Sequence, residues 1–359
     1  MSRIPADCVL PDPAAVRTVR SADGAELNVE EYGPDGAPLV VLAHGWTCST
    51  AFWAPVVNRL AADFRVVAYD QRGHGRSPAP AGADGYATAK LAEDLEAVLT
   101  ATVPDGRRAV LVGHSMGGMT IMAAGGRPAV AGRTAANVLV NTGPGELIAE
   151  LTVLPPAVRA KGLRRFLHRR ILRSRLPLGP VTGLTRAALK YATMGPATPA
   201  ERVEACAQVV HACPAQVRFR WSVVLDTLDV HDGLARLAAP TAVIAGSHDK
   251  LTPPVHARRI AAALADPRGL LELPGAGHMS PVERPAEVAA EIRRVAALAD
   301  GPSAAGPPAA EEPKAAQTAE EPQAAQAAQA APAVEEPQAA PTAPAAEPQS
   351  AAAPLEETA

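Results

Sequence analysis

The chain has 359 residues and a formal net charge of −3, with 34 lysines and arginines against 37 aspartates and glutamates. This balance excludes the dense positive charge expected of a nucleic-acid-binding protein. No stretch has the length and apolar character that predict a membrane span, and no apolar core of a secretory signal is recognised at the N-terminus. Four scattered cysteines without metal-ligand spacing predict reduced thiols in a cytoplasmic protein.

Residues 301–359 differ in composition from the rest of the chain. They consist mainly of Ala, Pro, Glu and Gln, and Val334 and Leu355 are their only sizeable apolar residues. So little apolar surface cannot offset the entropy lost when a chain is ordered. We therefore predict a disordered tail at 301–359. It has nine glutamates and one lysine, a net charge of −8, which leaves +5 on residues 1–300.

The remaining sequence predicts alternating strands and helices. Asp23-Gly24 favours the tight turn of a hairpin between the first two strands. Leu39–Ala43 is an unbroken apolar run, typical of a strand buried on both faces. In chain order the predicted strands are 16–20, 26–31, 39–43, 64–69, 109–112, 137–140, 241–245 and 270–273, with helices at 51–61, 87–99 and 286–298. This alternation predicts an α/β fold with a mainly parallel, doubly wound sheet.

Residues 145–238 interrupt this pattern, because they predict helices broken by prolines and no strand. Such an insertion would lie over the carboxyl edge of the sheet, where α/β proteins bind ligands. We therefore predict a core made of residues 1–144 and 239–300, a helical cap at 145–238 and the tail at 301–359.

The segment Gly113-His114-Ser115-Met116-Gly117-Gly118 lies between an apolar strand and a predicted helix. A serine at so sharp a turn is held in a strained conformation with its hydroxyl exposed. Gly113 and Gly117, two positions to either side, allow the strand and the helix to pass closely. The pattern predicts that Ser115 is a catalytic nucleophile.

A serine nucleophile needs a base, and the base needs an orienting carboxylate. Asp249 follows the strand at 241–245 and His278 follows the strand at 270–273. Both would project from the same sheet edge as Ser115. The order Ser115, Asp249, His278 is the one expected after a nucleophile elbow.

Other histidines and carboxylates fit these roles less well. The side chain of His114 should point away from the serine, and His248 is better placed as a loop residue beside the acid. Surface positions are expected for the cap histidines His168, His211 and His231. Asp226 and Asp229 are weaker candidates for the acid because they lie in a helical stretch.

Acyl transfer also needs N–H donors for the tetrahedral oxyanion. The N–H of Met116 supplies one at the start of the helix. The second is expected from Trp46, in the His44-Gly45-Trp46 loop after the strand at 39–43, where Gly45 lets the chain turn in close. His44, like Gly45, is expected to support this loop, and no metal site is predicted.

These motifs together resemble the α/β-hydrolase superfamily over roughly residues 16–299. They are His44-Gly45-Trp46, the segment 70–77 (Asp-Gln-Arg-Gly-His-Gly-Arg-Ser), 113–118, Asp249 and Gly277-His278. The tryptophan after His-Gly and the Ser-Met-Gly-Gly elbow are similar to cofactor-free serine esterases and bacterial perhydrolases.

The resemblance implies an α/β-hydrolase fold with an inserted cap and a Ser-His-Asp mechanism without metal or organic cofactor. It disfavours the branches with an aspartate nucleophile, because Ser115 occupies that position. It also implies that the loop 70–77 shapes the entrance to the site.

We therefore predict a serine hydrolase that cleaves small-molecule carboxylic esters through an acyl-enzyme and has no nucleic-acid partner. Perhydrolysis or carbon–carbon bond hydrolysis on the same triad stays open, since these activities differ in pocket shape. A non-catalytic scaffold is the third hypothesis, disfavoured because the triad and the oxyanion loop are all present. The oligomeric state is left open.

Residues 160–176 interleave basic and apolar side chains and predict an amphipathic cap helix. The favoured interpretation packs its apolar residues inward and leaves the basic face solvated. The alternative is a weak contact with lipid or an anionic substrate. The apolar residues in question are Leu163, Phe166, Leu167, Ile171 and Leu172.

Overall fold

The computed structural model describes residues 4–155, 157 and 160–300, with the backbone alone at 299 and 300. The predicted tail at 301–359 lies outside the described residues. Within these ranges no helix is both long and apolar enough to cross a membrane.

Eight strands form one sheet, in the order β1-β2-β4-β3-β5-β6-β7-β8. β1 pairs antiparallel with β2 and β2 pairs antiparallel with β4, while every other neighbouring pair is parallel. The strands are β1 (Ala15–Arg20), β2 (Glu26–Tyr32), β3 (Leu39–Ala43), β4 (Arg65–Tyr69), β5 (Ala109–His114), β6 (Thr134–Val140), β7 (Thr241–Gly246) and β8 (Pro267–Leu273). The predicted mainly parallel α/β sheet is therefore confirmed.

The described helices follow in chain order. They are α1 (Ala54–Leu60), α2 (Thr88–Thr102), α3 (Met116–Ala123), α4 (Pro128–Arg133), α5 (Leu147–Glu150), α6 (Lys161–Leu172), α7 (Gly183–Thr193), α8 (Ala200–Ala212), α9 (Ala215–Thr227), α10 (His231–Ala235), α11 (Pro254–Ala263), α12 (Ser280–Glu283) and α13 (Pro285–Asp300). Short 3-10 turns precede β1 and α1, at Ala6–Cys8 and Thr50–Trp53.

The central strands are apolar on both faces because helices cover both. Successive side chains of β3 alternate between two cores: Val40 and Leu42 pack with α1 and α13, and Val41 packs with α2, α3 and α11. Side chains of successive strand residues point to opposite faces of a sheet, so a strand covered twice has to be apolar throughout. The prediction that Leu39–Ala43 is a strand buried on both faces is thus confirmed.

Helices α5–α10 lie between β6 and β7, and the described part of this insertion contains no strand. Residues of α5, α6 and α9 line a cavity together with Ser115, so these helices cover the serine. The boundaries of the cap at 145 and 238 stay a prediction.

Candidate active site

Ser115 occupies the turn between β5 and α3 with φ 52° and ψ −116°. A positive φ is costly for a residue with a side chain, so the surrounding structure has to hold it in place. The Ser115 N–H donates to the carbonyl of Val140 at 2.9 Å, and its carbonyl accepts from the Thr142 hydroxyl at 2.8 Å. Val140 at the end of β6 and Thr142 just after it therefore hold the backbone of Ser115 in place.

The predicted glycines allow β3, β5 and α3 to approach closely. A Cβ at Gly117 would lie 2.0 Å from the carbonyl oxygen of Ala43, and one at Gly113 would lie 2.5 Å from the Gly117 backbone. Ser115 itself is buried, a difference from the exposed serine that the elbow pattern predicts. The reason is the cap, which covers the carboxyl edge of the sheet.

The structure brings Asp249 and His278 together. The Nδ1 atom of His278 lies 2.8 Å from Oδ2 of Asp249, and both residues are buried. Asp249 also accepts hydrogen bonds from the Thr252 hydroxyl at 2.8 Å and the Asn141 amide at 2.9 Å, and from two backbone N–H groups. This arrangement places the Nδ1 proton of His278 against the carboxylate.

The carboxylate of Asp249 is stabilised in its charged form. Burial alone would raise its pKa, but the adjacent His278 and the hydrogen bonds from Thr252 and Asn141 together lower it below the ordinary value. Asn141 is a residue that the sequence analysis did not single out, although it directly follows β6 at the same edge of the sheet.

Ser115 and His278 are linked through His114. The ring hydrogen bonds of His278 in the described chain go to Asp249 and Thr252, and not to Ser115. His114, however, lies 2.8 Å by its Nε2 from the His278 carbonyl, and the two rings are 4.9 Å apart. The His114 ring therefore contacts the backbone of His278, a role that the sequence analysis did not assign to it.

The two N–H groups expected to bind the oxyanion belong to Trp46 and Met116. In the described ranges the N–H groups of Trp46 and Met116 donate to no protein acceptor. A Cβ at Gly45 would lie 2.7 Å from Nδ1 of His114 and 3.1 Å from Cβ of Ser115. The loop after β3 therefore lies directly against the elbow, which only glycine at position 45 permits.

Two buried histidines support this loop from within. His44 donates from Nδ1 to the Gly45 carbonyl at 2.7 Å and accepts the Gln71 N–H at Nε2, 3.0 Å away. His74 accepts the N–H of Thr47, which has φ 65°. The loop 70–77 thus supports the loop at 44–47 that follows β3. None of the residues 70–77 lines the cavity beside Ser115.

The same two histidines predict a loss of stability in acid. Burial lowers the pKa of His44 to about 4, and burial with the neighbouring His44 lowers the pKa of His74 to about 3. In the unfolded chain both histidines take up protons near pH 6.5, whereas in the folded protein they stay neutral to a lower pH. The folded state therefore loses stability relative to the unfolded state as the pH falls from 6.5 toward 4. Chemical denaturation should show the free energy of unfolding falling by about 2–3 kcal/mol per pH unit from these residues.

His74→Gln should reduce this slope by about 1 kcal/mol per pH unit between pH 6 and 4, because one titrating group is gone. The exposed His231→Gln is the comparison variant, and the slope should fall more in His74→Gln than in His231→Gln. An unaltered slope in His74→Gln would contradict the assignment.

Glu283 connects the His278 loop to the cap, and sequence reasoning missed it. One carboxylate oxygen accepts the N–H groups of Gly277 and Met279 at 3.0 and 3.1 Å. The other accepts the Gly195 N–H at 2.7 Å and the Thr198 hydroxyl at 2.6 Å. A glutamate five positions after the histidine, at the end of a short helix, was the available signal.

The cavity at Ser115 is small and apolar, with a volume of about 60 Å³. Its walls come from the oxyanion loop, α3, the cap and the loop after Asp249, and they include Trp46, Met119, Leu147, Leu172, Leu225 and Thr252. The Trp46 indole N–H donates to the Arg218 carbonyl of α9 at 3.1 Å, so the oxyanion loop is tied to the cap. No cluster of three or more His, Cys, Asp or Glu residues in the described ranges could hold a metal ion.

Comparison with known proteins places this arrangement in a family. "Putative carbamate hydrolase RutD" of Variovorax paradoxus (strain S110) is 35% identical over 264 residues, which are 70% of this chain and 89% of the relative. A non-heme chloroperoxidase of Burkholderia pyrrocinia is 35% identical over 178 residues, 47% of this chain and 62% of the relative. The crystal structure of the enol-lactonase from Burkholderia xenovorans LB400 is 26% identical, with a TM-score of 0.61 over 78% of this chain and 99% of that one.

These relatives support a hydrolase activity, and the enol-lactonase structure shares the fold described above. The family model for the alpha/beta hydrolase family matches residues 40–291, which include the loop at His44–Trp46, Ser115, Asp249 and His278. The chain belongs to the alpha/beta hydrolase family.

Proposed function

We propose that this protein is a serine hydrolase that cleaves carboxylic esters with short acyl groups. The observation that carries the proposal is the strained Ser115, which lines an apolar cavity at the same sheet edge as the hydrogen-bonded Asp249–His278 pair. A strained nucleophile beside an oriented base is the arrangement that acyl transfer requires.

In the proposed mechanism, Nε2 of His278 takes the proton of Ser115 as the hydroxyl oxygen attacks the ester carbonyl. Asp249 keeps the Nδ1 proton in place and stabilises the imidazolium that forms. The N–H groups of Trp46 and Met116 bind the oxyanion, and each such donor lowers the activation free energy by about 3–4 kcal/mol. The alcohol leaves with the proton from His278, and water activated by the same ring then releases the acid.

The cavity volume supports a short acyl group. A cavity of about 60 Å³ lined by leucine, methionine and tryptophan side chains is narrow and apolar, and this favours a short acyl group over a long one. The lining is nearly free of charge, so an uncharged acyl group is favoured.

A p-nitrophenyl ester series from acetate to decanoate tests this proposal, with a p-nitrophenyl carbamate included because one relative is named as a carbamate hydrolase. We expect the highest kcat/KM at two to four carbons (about the length the cavity holds) and a fall of about tenfold or more by eight. If the folded protein turns over none of these esters, the esterase proposal is rejected and the non-catalytic scaffold is favoured.

Perhydrolysis is the second candidate, because of the likeness to a non-heme chloroperoxidase. Here hydrogen peroxide replaces water in the second step, and attack on the acyl-enzyme yields a peracid and free Ser115. The measurement is peracid formation from p-nitrophenyl acetate and hydrogen peroxide, in which p-nitrophenol leaves as the acyl-enzyme forms. A rate comparable with ester hydrolysis would make perhydrolysis the preferred activity.

Glu283→Gln should lower kcat about 10- to 100-fold with little change in KM. The Glu283 carboxylate now accepts from backbone N–H and hydroxyl groups. In the variant the glutamine NH2 would be a donor facing these donors, and the repulsion would displace the His278 loop. A displacement of about 1 Å lowers the rate about 100-fold. Ester kinetics with p-nitrophenyl acetate give the kcat and KM.

Two variants separate positioning from general stability. Thr198→Val removes a single donor on the cap side and should cost less than Glu283→Gln. The exposed Glu287→Gln changes the same functional group in α13 and should leave kcat as in wild type. Equal kcat in Glu283→Gln and wild type would show that these hydrogen bonds do not position the base.

A further inference from the structure

The outer side of the cap carries apolar side chains that are not packed. Among the described residues eleven large apolar side chains are exposed, and five lie within 161–178: Leu163, Phe166, Ile171, Leu176 and Leu178. Leu163, Phe166 and Ile171 are 52%, 58% and 55% exposed. These three residues therefore lie outside the packed face of the predicted cap helix. Leu167 and Leu172 are partly buried.

The charge of this region has a single sign. Residues 151–200 contain ten lysines and arginines and no aspartate or glutamate. Arg169 and Arg173 pair with Asp226 of α9, and Arg164 donates to two backbone carbonyls. Four further cations form no ion pair within the described part of the chain: Lys161, Arg165, Arg170 and Arg175.

Unpaired cations and exposed apolar side chains therefore alternate along one segment. We call these four cations and the five apolar residues above the cap surface. It adjoins the cavity, because Leu172 of the same helix α6 lines the cavity with Ser115. Apolar groups that enter acyl chains and cations that contact headgroup phosphates are the two requirements for binding an anionic bilayer.

We propose that the cap surface binds an anionic lipid bilayer. A second copy of the chain fits it less well, since two identical positive surfaces repel each other. Neutral lipid would leave the four cations without an anionic partner. Binding in this orientation would bring the cavity to esters dissolved in the membrane, a consequence that rests on the proposed function, whereas the binding itself does not.

Co-sedimentation of the full chain with vesicles tests the proposal. We expect binding to phosphatidylcholine vesicles that contain about 30% phosphatidylglycerol, weak binding to pure phosphatidylcholine, and release by added salt. Arg165→Gln with Arg170→Gln should lower the partition coefficient roughly 30-fold, as two cations near an anionic surface would. Phe166→Ser should lower it by about tenfold.

The matched control removes two arginines outside the cap, Arg20→Gln with Arg268→Gln, and should change binding less than about threefold, because neither residue belongs to the cap surface. Thermal midpoints and p-nitrophenyl acetate turnover equal to wild type would show that each variant is folded. The proposal is overturned by equal wild-type binding to both vesicle types, by absence of binding to either, or by an equal loss in the control. Self-association of wild type that Phe166→Ser abolishes would assign the surface to a second copy and overturn it as well.

Discussion

Ser115→Ala should lose covalent labelling by a fluorophosphonate probe and lower kcat for p-nitrophenyl acetate by roughly 10⁴- to 10⁶-fold. Alanine keeps the Cβ in the strained turn and the backbone bonds to Val140 and Thr142, so the elbow should persist. The nucleophile is then absent, while the oxyanion donors remain. Intact-mass spectrometry of the labelled protein gives the first result, and ester kinetics give the second.

Ser222→Ala is the matched control for labelling. Ser222 lines the same cavity, but it lies within helix α9 rather than at a strained turn, and its hydroxyl donates to the Phe219 carbonyl of that helix at 2.7 Å. Labelling should therefore be retained in Ser222→Ala. Labelling that persists in Ser115→Ala would show that another residue reacts and would remove the basis of the proposed mechanism.

Asp249→Asn should lower kcat about 10⁴-fold with the fold intact. The Oδ2 atom of Asp249 accepts from His278, Asn141 and Thr252, and an amide nitrogen at that position would be a donor facing donors. The His278 ring would then turn to the tautomer with its proton on Nε2. A ring protonated there cannot take the proton of Ser115.

The control for this carboxylate is the cap residue Asp226, whose side chain is also buried and pairs with Arg169 and Arg173. Asp226→Asn should weaken the contact between α6 and α9 and lower kcat less than about tenfold, because it leaves the base untouched. Similar losses in the two variants, measured at saturating p-nitrophenyl acetate, would reject Asp249 as the orienting acid.

The fold could be predicted from the sequence because each local signal has one physical solution. A strand such as Leu39–Ala43 that is apolar throughout needs cover on both faces, and alternating helices supply it. Ser115 between a strand and a helix, with Gly113 and Gly117 around it, fits only a close turn. The order of Asp249 and His278 along the chain then assigns both to one sheet edge.

Some residues at the site have roles that only the tertiary structure decides. His114 contacts His278, Asn141 contacts Asp249 and Glu283 contacts Gly195, at separations of 164, 108 and 88 positions along the chain. Distances in three dimensions set such contacts, and no local pattern encodes them. Burial of Ser115 has the same origin, because the cap arrives from a later part of the chain.

The cap helix shows this division most clearly. Its sequence by itself determined an amphipathic helix rich in arginine, because apolar and basic residues recur at helical spacing. Which apolar side chains find a partner depended on the neighbouring elements: Leu172 meets the cavity, whereas Phe166 stays 58% exposed. Helical periodicity predicts which residues share a face of the helix. What that face contacts depends on the elements that pack against it in the folded protein.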